Sequence, residues 1–470
     1  MGRTQTRGGR PRAARSSASI CACTLRSVRS NRRMPRTTTK NTMLTPTVGR
    51  SDHATATQMF SIPPSYASDS SCTFARSQDL RPQASVPPSP RVRFDDTLGM
   101  TTVLHATDSA AFLGIVPSLA GFTPRESVVL LPFHGSRTDG AMRLDLPDDD
   151  IDLDAYADAA VGLTARVPET DAIAVVVYTD REAHPTRDGL VLPYAVVVDE
   201  VLGCAEDAGL RIVDALCVTP SGWASFLEAE PQLHALEHIR PLPSAAGDDV
   251  RGDQSAGVDL PEVDFAEKER VGRAAVELAA VLDASATGRV SGRENPQLIA
   301  ALVLLEDIPV FFESALAAPD DLPPFATAAL LWCLDRPFLR DVAIAQWATD
   351  LSGGVRTLGA QTAFAHAGRA FPDDLGRVFL GQGAMPDTER LRDALAVVRG
   401  AAARAPRSSR PAPLTVAAWL AWALGRATHA GRYLEMAREI DPDYSLAVLL
   451  EALIGNAVLP EWVFRRGQRR

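Results

Sequence analysis

The sequence predicts an α/β domain at residues 100–230, with a mixed sheet and helices on both faces, followed by an all-α domain at residues 263–470. Up to about residue 230, short apolar runs typical of strands alternate with segments whose apolar residues recur every three or four positions. Beyond residue 263 only the helical period continues. Between the two, residues 231–262 become rich in Gly, Ser and Asp and are predicted to form a linker.

The first predicted elements are a helix and a buried strand that are joined by a turn. Asp108 is a typical N-cap residue, and Gly121 stands where this helix ends. Residues 127–133 form an apolar run like that of a strand covered on both faces. Residues 141–146 alternate between apolar and polar, which predicts an antiparallel partner for that strand.

The centre of the predicted sheet is the strand at residues 171–178, which is almost entirely apolar and largely β-branched. An amphipathic helix is predicted before it, at residues 153–167, because apolar residues recur there at helical spacing. A second helix is predicted at residues 192–208, and a further strand at residues 210–218 completes the pattern. Together these elements favour an α/β domain.

Three short signatures carry a family resemblance. They are Pro117, Gly121, Phe122, Pro124 and Ser127 in the first turn, Trp223, Ser225 and Phe226 after strand 210–218, and Asp441, Pro442, Asp443 and Tyr444 near the C terminus. On these residues the chain, from about Met100 onward, resembles an actinobacterial family called domain of unknown function 4192. That family commonly has a Cys-Cys-Pro segment after the second signature, whereas residues 227–233 contain no cysteine. The resemblance implies a shared fold and source, and it implies no activity, cofactor or catalytic residue.

In the C-terminal region, Pro and Gly residues separate the segments that are predicted to be helices. They are predicted at residues 263–283, 294–306, 309–317, 324–334, 337–350, 358–370 and 387–403. The spacing of Ala418, Ala430, Leu434, Ala437 and Pro442 then predicts one tetratricopeptide-like helical hairpin, which must stack on the preceding helices to bury its faces. Trp419 and Trp422 are interpreted as core anchors of this hairpin.

The net charge of the chain changes sign at about residue 100. Residues 1–99 have 16 basic and 5 acidic side chains, a net charge of +11, whereas residues 100–470 have a net charge of −21. The basic segment is rich in Arg, Ser and Pro and is predicted to be disordered. We interpret it as an extension that arises from a start assigned too far upstream, so that the native chain begins at Met100. A basic nucleic-acid arm and an Arg-rich targeting peptide are the alternatives.

The composition predicts a cytoplasmic protein with no nucleic-acid or membrane partner. No apolar run reaches the roughly 18 residues of a membrane span. The acidic net charge after residue 100 disfavours contact with nucleic acid or an anionic membrane. Six scattered cysteines without Cys-x-x-Cys spacing indicate neither a zinc ribbon nor a disulfide framework.

One motif has catalytic spacing. On a helix, His234 and His238 of the His-x-x-Glu-His run would share one face as zinc ligands, and Glu237 would activate a metal-bound water. Glu313 is a candidate third ligand further along the chain. The run lies between two prolines at the edge of the predicted linker, however, which favours a short solvated helix without metal.

The remaining site candidates lie at the ends of strands. Asp180 and Arg181 follow the central strand, and open α/β sheets bind ligands beyond the carboxyl ends of their strands. Trp223, in the second signature, is the third ligand-binding candidate. No catalytic residue, metal ligand or cofactor is assigned. The sequence therefore favours a non-catalytic binding or scaffolding protein with a protein partner at its helical domain. The alternative is an enzyme at the strand ends, with a zinc-dependent hydrolase as one form.

Overall fold

The computed structural model describes residues 91–95, 101–138, 140–187, 189–240, 252–285, 295–318, 322–455 and 458–468. The predictions for residues 1–90 lie outside this part. Within the segment predicted to be disordered, Arg91–Asp95 forms a strand that pairs antiparallel with Thr101–His105 and parallel with Arg137–Thr138. Sequence reasoning missed this strand because its alternation of charged and apolar residues is only five residues long.

The described strands form three sheets, of which the largest has five strands in the order β10-β9-β6-β3-β5. The strands are β1 Arg91–Asp95, β2 Thr101–His105, β3 Ser127–Phe133, β4 Arg137–Thr138, β5 Met142–Asp145, β6 Ala172–Tyr178, β7 His184–Thr186, β8 Gly189–Val191, β9 Arg211–Thr219 and β10 Gly222–Ser225. β6 lies at the centre of the five-stranded sheet, antiparallel to β3 and parallel to β9. The prediction of a mixed sheet around this strand is confirmed.

Helices cover both faces of that sheet. They are α1 Ser109–Ala120, α2 Leu153–Ala165 and α3 Ala195–Asp207. Ala172, Ala174 and Val176 of β6 pack in one core with α1, whereas Ile173 and Val175 pack in the opposite core with α2 and α3. The apolar run of β6 is therefore explained by burial on both sides.

After β10 the described residues contain helices and no strand. The helices are α4 Phe265–Ser285, α5 Pro296–Leu304, α6 Ile308–Leu316, α7 Pro324–Leu334, α8 Pro337–Ala348, α9 Leu351–Ala367, α10 Asp373–Phe379, α11 Thr388–Arg404, α12 Pro411–Ala423, α13 Ala427–Arg438 and α14 Ser445–Gly455. Short 3₁₀ segments lie at Leu236–His238, Arg407–Ser409 and Glu461–Gln468. One core joins these helices, and Trp419 and Trp422 are buried in it as predicted.

Helix α9 begins seven residues before its predicted start because two glycines are part of it. Sequence reasoning treated Gly353 and Gly354 as a break. In the structure they lie in the first turn of α9, where a Cβ at Gly354 would overlap the buried side chain of Gln346 of α8 and a Cβ at Gly353 would overlap Thr349, just after α8. Asp350 caps the helix by accepting a hydrogen bond from the Gly353 N–H at 2.8 Å. Close helix packing therefore accounts for these glycines.

The second half of the predicted linker contacts both parts of the fold. The Thr123 N–H donates to the Gly252 carbonyl at 2.9 Å, next to the sheet. Val258 is buried in the helical core, and Arg399 of α11 donates to the Gly257 carbonyl at 2.7 Å. Residues 252–260 are thus fixed to both parts by hydrogen bonds and by burial.

No helix in the described part of the chain is long and apolar enough to cross a bilayer.

Candidate functional site

Polar side chains gather where β6 ends and β3 begins. Because these two strands are antiparallel, the start of one lies beside the end of the other. Arg125 donates to the Asp180 carboxylate at 3.2 Å, and the Asp180 backbone N–H donates to the carboxylate of Glu126. Arg181 forms an ion pair with Asp149 at 3.5 Å, from the segment before α2. Two of the predicted ligand-binding residues, Asp180 and Arg181, therefore lie in one network of exposed charges.

Tyr194 joins this network from the start of α3. The Arg181 guanidinium lies over the Tyr194 ring, 4.9 Å from its centroid, a cation–π contact. Burial raises the pKa of Tyr194 and Arg181 lowers it, while Glu126 and Asp149 raise it further. The net effect is a raised pKa, so this phenol is a hydrogen-bond donor at neutral pH. We call Arg125, Glu126, Asp149, Asp180, Arg181 and Tyr194 the strand-end cluster.

Two residues of the cluster have an unusual backbone conformation. Glu126 has φ 42° and Tyr194 has φ 61°, in the left-handed region that non-glycine residues rarely adopt. Such strain concentrates at ligand-binding and catalytic sites in many proteins. Tyr194 also caps α3 without a side-chain hydrogen bond. The left-handed conformations of Glu126 and Tyr194 must therefore be stabilised by the surrounding structure.

A second polar contact extends the edge toward β10. The Ser221 hydroxyl donates to the Glu182 carboxylate, and the Thr219 hydroxyl donates to the Gly222 carbonyl at 2.9 Å. These groups lie at the tight turn between β9 and β10. They supply two hydroxyls and a carboxylate at this edge.

Trp223 has a different environment from Asp180 and Arg181. It is 7% exposed and packs in the core under α1. Its backbone N–H donates to the His234 carbonyl at 2.9 Å, and the His234 N–H donates back at 2.8 Å. The two rings are in contact, tilted by 30° with centroids 4.5 Å apart. The structure therefore places this candidate inside the fold, beside the strand-end cluster rather than within it.

The zinc-binding helix, the disfavoured interpretation of the His-x-x-Glu-His run, does not form. Only Leu236–His238 is helical, as a single 3₁₀ turn, and His234 is in the β-bridge to Trp223. The backbone before the turn is extended because it pairs with the edge of β10, so the two histidines do not share a helical face. Glu313, the candidate third ligand, accepts two hydrogen bonds of 2.6 Å from Arg390. Across the described residues, no group of three or more His, Cys, Asp or Glu side chains is arranged to hold a metal ion.

Two of the described cysteines, Cys204 and Cys217, are poor nucleophiles. Burial raises the pKa of Cys204 to about 11 and that of Cys217 to about 12. Both are therefore protonated thiols at neutral pH, and the thiolate is the reactive form.

Sequence reasoning missed Arg125, Glu126, Asp149 and Tyr194. Arg125 and Glu126 directly precede β3, and the signal that could have found them is the antiparallel register, which brings the start of β3 to the end of β6. Tyr194 and Asp149 precede helices, and nothing in their spacing indicates a common site.

Comparison with known proteins gives one positive result. No curated protein and no solved structure matches the chain. The model of one family matches residues 110–374 and 383–461. This match covers well over half of the chain and includes the strand-end cluster, so the protein belongs to the family described as Domain of unknown function (DUF4192).

Proposed function

We propose that the protein has a non-catalytic binding or scaffolding role and that its helical region contacts a protein partner. The observation that carries this proposal is a set of large apolar side chains exposed on three helices of that region. Ile299 and Val303 of α5 are 48% and 56% exposed, Val310 of α6 is 52% exposed, and Val355 of α9 is 55% exposed.

These side chains lie on helices that touch one another. α6 contacts both α5 and α9. Single exposed apolar residues are common on proteins, but apolar side chains grouped on neighbouring elements often mark protein contacts. Their presence on neighbouring helices supports a partner that buries apolar surface. The acidic net charge of residues 100–470 supports the further proposal that neither nucleic acid nor an anionic membrane is the partner.

The proposal is tested by site-specific removal of this apolar character. In the native host, the Val303→Asp, Val355→Asp double variant is compared with the wild type by cross-linking and mass spectrometry. We expect loss of specific cross-linked proteins from the double variant. The control is Val196→Asp on α3, which is 67% exposed and lies in the α/β part. An identical set of cross-linked proteins for all three would overturn the proposal.

An enzyme at the strand ends is the second candidate, because Glu126 and Tyr194 are both strained there. Incubation of the protein with a metabolite extract tests it. A metabolite consumed by the wild type but not by Arg181→Ala would favour the enzyme. No consumed metabolite would favour the binding role.

We further propose a cytoplasmic location and an actinobacterial source. Cys204 and Cys217 are free thiols, which supports a reducing compartment. The source rests on the family resemblance.

We also propose that α12 and α13 are the tetratricopeptide-like hairpin. Ala418, Ala430, Leu434 and Ala437 are all buried, which supports it. The domain limits of residues 100–230, 231–262 and 263–470 are part of the same proposal.

A further inference from the structure

Two aromatic side chains with polar groups lie in one row across the sheet. Tyr178 at the end of β6 pairs with Val218 of β9, and Val218 pairs with Trp223 of β10. Paired residues on neighbouring strands point to the same face, and all three pack against the core under α1. Strands lie about 4.8 Å apart, so the Cα atoms of Tyr178 and Trp223 are about 10 Å apart.

Both aromatic side chains have a buried hydrogen-bond donor without a partner. The Tyr178 hydroxyl and the Trp223 indole N–H are shielded from solvent, and neither finds an acceptor in the described part of the chain. Buried donors are nearly always paired in folded proteins, because an unpaired donor loses its hydration without compensation. Burial also raises the pKa of Tyr178, so its hydroxyl keeps the proton that it can donate.

The surroundings hold these donors in place. Two backbone hydrogen bonds to His234 fix the main chain of Trp223, and the His234 ring packs against the indole with centroids 4.5 Å apart. Val218, between the two aromatic residues, is only partly buried. Tyr178 is likewise partly buried, so part of the row borders solvent.

We propose that the Tyr178–Trp223 row binds a small uncharged molecule through a carbonyl oxygen, with the Tyr178 hydroxyl and the Trp223 indole N–H as the donors. One carbonyl oxygen has two lone pairs and can accept both hydrogen bonds. This site is separate from the apolar surface of α5, α6 and α9, and the inference is independent of the proposed protein partner.

The surrounding side chains select an uncharged ligand. The core under α1 consists of apolar side chains such as Ile115, Val129 and Leu216. An anion placed there would lose its hydration without a buried cation to compensate, which is strongly unfavourable. A carbonyl compound loses less on transfer, and its apolar remainder gains by covering Val218.

The experiment uses two probes that differ in one group. Cyclohexanone has a carbonyl oxygen where methylenecyclohexane has a CH₂ group of similar shape. Binding of each to the full chain is measured by ligand-observed NMR titration. We expect the wild type to bind cyclohexanone about tenfold more tightly than methylenecyclohexane, the effect of one or two neutral hydrogen bonds. We expect Tyr178→Phe and Trp223→Phe each to reduce this preference several-fold.

The matched control is Tyr156→Phe. Tyr156 lies on α2, away from the row, and its hydroxyl already donates to the Asp145 carbonyl at 2.9 Å. Loss of this hydroxyl should therefore leave the preference for the ketone unchanged. Equal binding of the two probes to the wild type, or no binding of either, would overturn the proposal. A preference that survives both row substitutions would overturn it as well.

Stability provides a second measurement. In the ligand-free chain, Tyr178→Phe removes an unpaired donor, so the urea midpoint should stay constant or rise, whereas Tyr156→Phe should lower it. A clear fall for Tyr178→Phe would show that the hydroxyl already has an acceptor and would contradict the inference.

Discussion

Residues 100–262 and residues 263–470 differ in net charge and in the exposure of one ion pair from each. The first part has 28 acidic and 9 basic side chains, a net charge of −19, whereas the second has 25 acidic and 23 basic ones, a net charge of −2. At the edge of the sheet, the Arg125–Asp180 ion pair is exposed, with side chains 59% and 67% accessible. In the helical region, Arg390 is 18% exposed where it pairs with Glu313.

The difference follows from backbone hydrogen bonding. Neighbouring strands are joined by a ladder of main-chain hydrogen bonds, so side-chain charges can remain in solvent. Helices satisfy their main chain internally and must be joined by side chains. Glu313 of α6, Gln346 of α8 and Arg390 of α11 make such a junction, in which Gln346 donates to the Glu313 carboxylate at 2.9 Å and Arg390 donates to the same carboxylate. We therefore expect charge removal to matter more in the helical region.

The largest effect is expected for Arg390→Ala. It leaves the partly buried Glu313 carboxylate without its main partner, which should lower the free energy of unfolding by about 2–3 kcal/mol. Arg125→Ala is the matched change in the sheet and should cost about 0–1 kcal/mol, because exposed pairs contribute little. Urea denaturation of both variants measures the difference, and equal losses would contradict this account of the two regions.

Gly354→Ala should come next. The added Cβ would overlap Gln346, which is fully buried and hydrogen-bonded to the Pro309 carbonyl at 2.8 Å. We expect a loss of about 1–3 kcal/mol from overpacking.

Gly359 provides the control for Gly354 within the same helix. A Cβ at Gly359 meets nothing within 4 Å, so Gly359→Ala should stabilise the protein by about 0.5–1 kcal/mol through helix propensity. A stabilising effect of both substitutions, measured by thermal unfolding, would show that α8 and α9 pack less closely than described.

In the sheet region, Gly114→Ala tests the attachment of the segment after β10. A Cβ at Gly114 of α1 would overlap the Arg240 carbonyl, so the segment must move. We expect a loss of about 1 kcal/mol, less than in the helical core because an irregular segment can shift, and faster proteolysis near residue 240. Gly162→Ala on α2 has no close neighbour and is the control. Unchanged proteolysis for Gly114→Ala would argue against this contact.

The smallest effect is a pH dependence at the contact between the two regions. Burial lowers the pKa of His429, and Arg426 and Arg399 lower it further, while hydrogen bonds to the backbone of Ala256 and Gln254 oppose them. The folded state therefore binds this proton less readily than the unfolded chain. The corresponding stability is complete above the unfolded pKa of about 6.5 and is lost as pH falls through the lower folded value.

Replacing the histidine tests that pH dependence. His429→Gln has no proton to bind, so its urea midpoint should fall less than that of the wild type between pH 7 and pH 5. An identical fall in both proteins would show that His429 does not titrate in this range.

Part of the architecture could be predicted because local patterns decide it. Residues 127–133 are an uninterrupted apolar run, and β3 has those bounds. The predicted helix at residues 324–334 is likewise α7. Both elements are buried on all sides, so their sequences are continuous apolar runs. Pro or polar residues mark the two ends of each run. Of the His-x-x-Glu-His run, only Leu236–His238 forms a short helical turn, because pairing with β10 holds His234 in extended backbone.

The strand-end cluster shows what sequence patterns leave open. Asp180 and Arg181 could be predicted as candidates because they directly follow the central strand. Glu126 and Tyr194 could not, since they lie 54 and 14 residues from Asp180 along the chain. Only the antiparallel register and the start of α3 bring them together.

By itself, the sequence determined the order of elements, the centre of the sheet and the change from an α/β to a helical architecture. It did so because apolar periodicity reports which faces of each element are buried. The tertiary structure alone decided which polar groups meet. Gly354 lies within a helix that packs closely against α8, and Tyr178 and Trp223 share a row because β9 lies between their strands. Such contacts depend on register and distance between segments far apart in the chain, which no local pattern records.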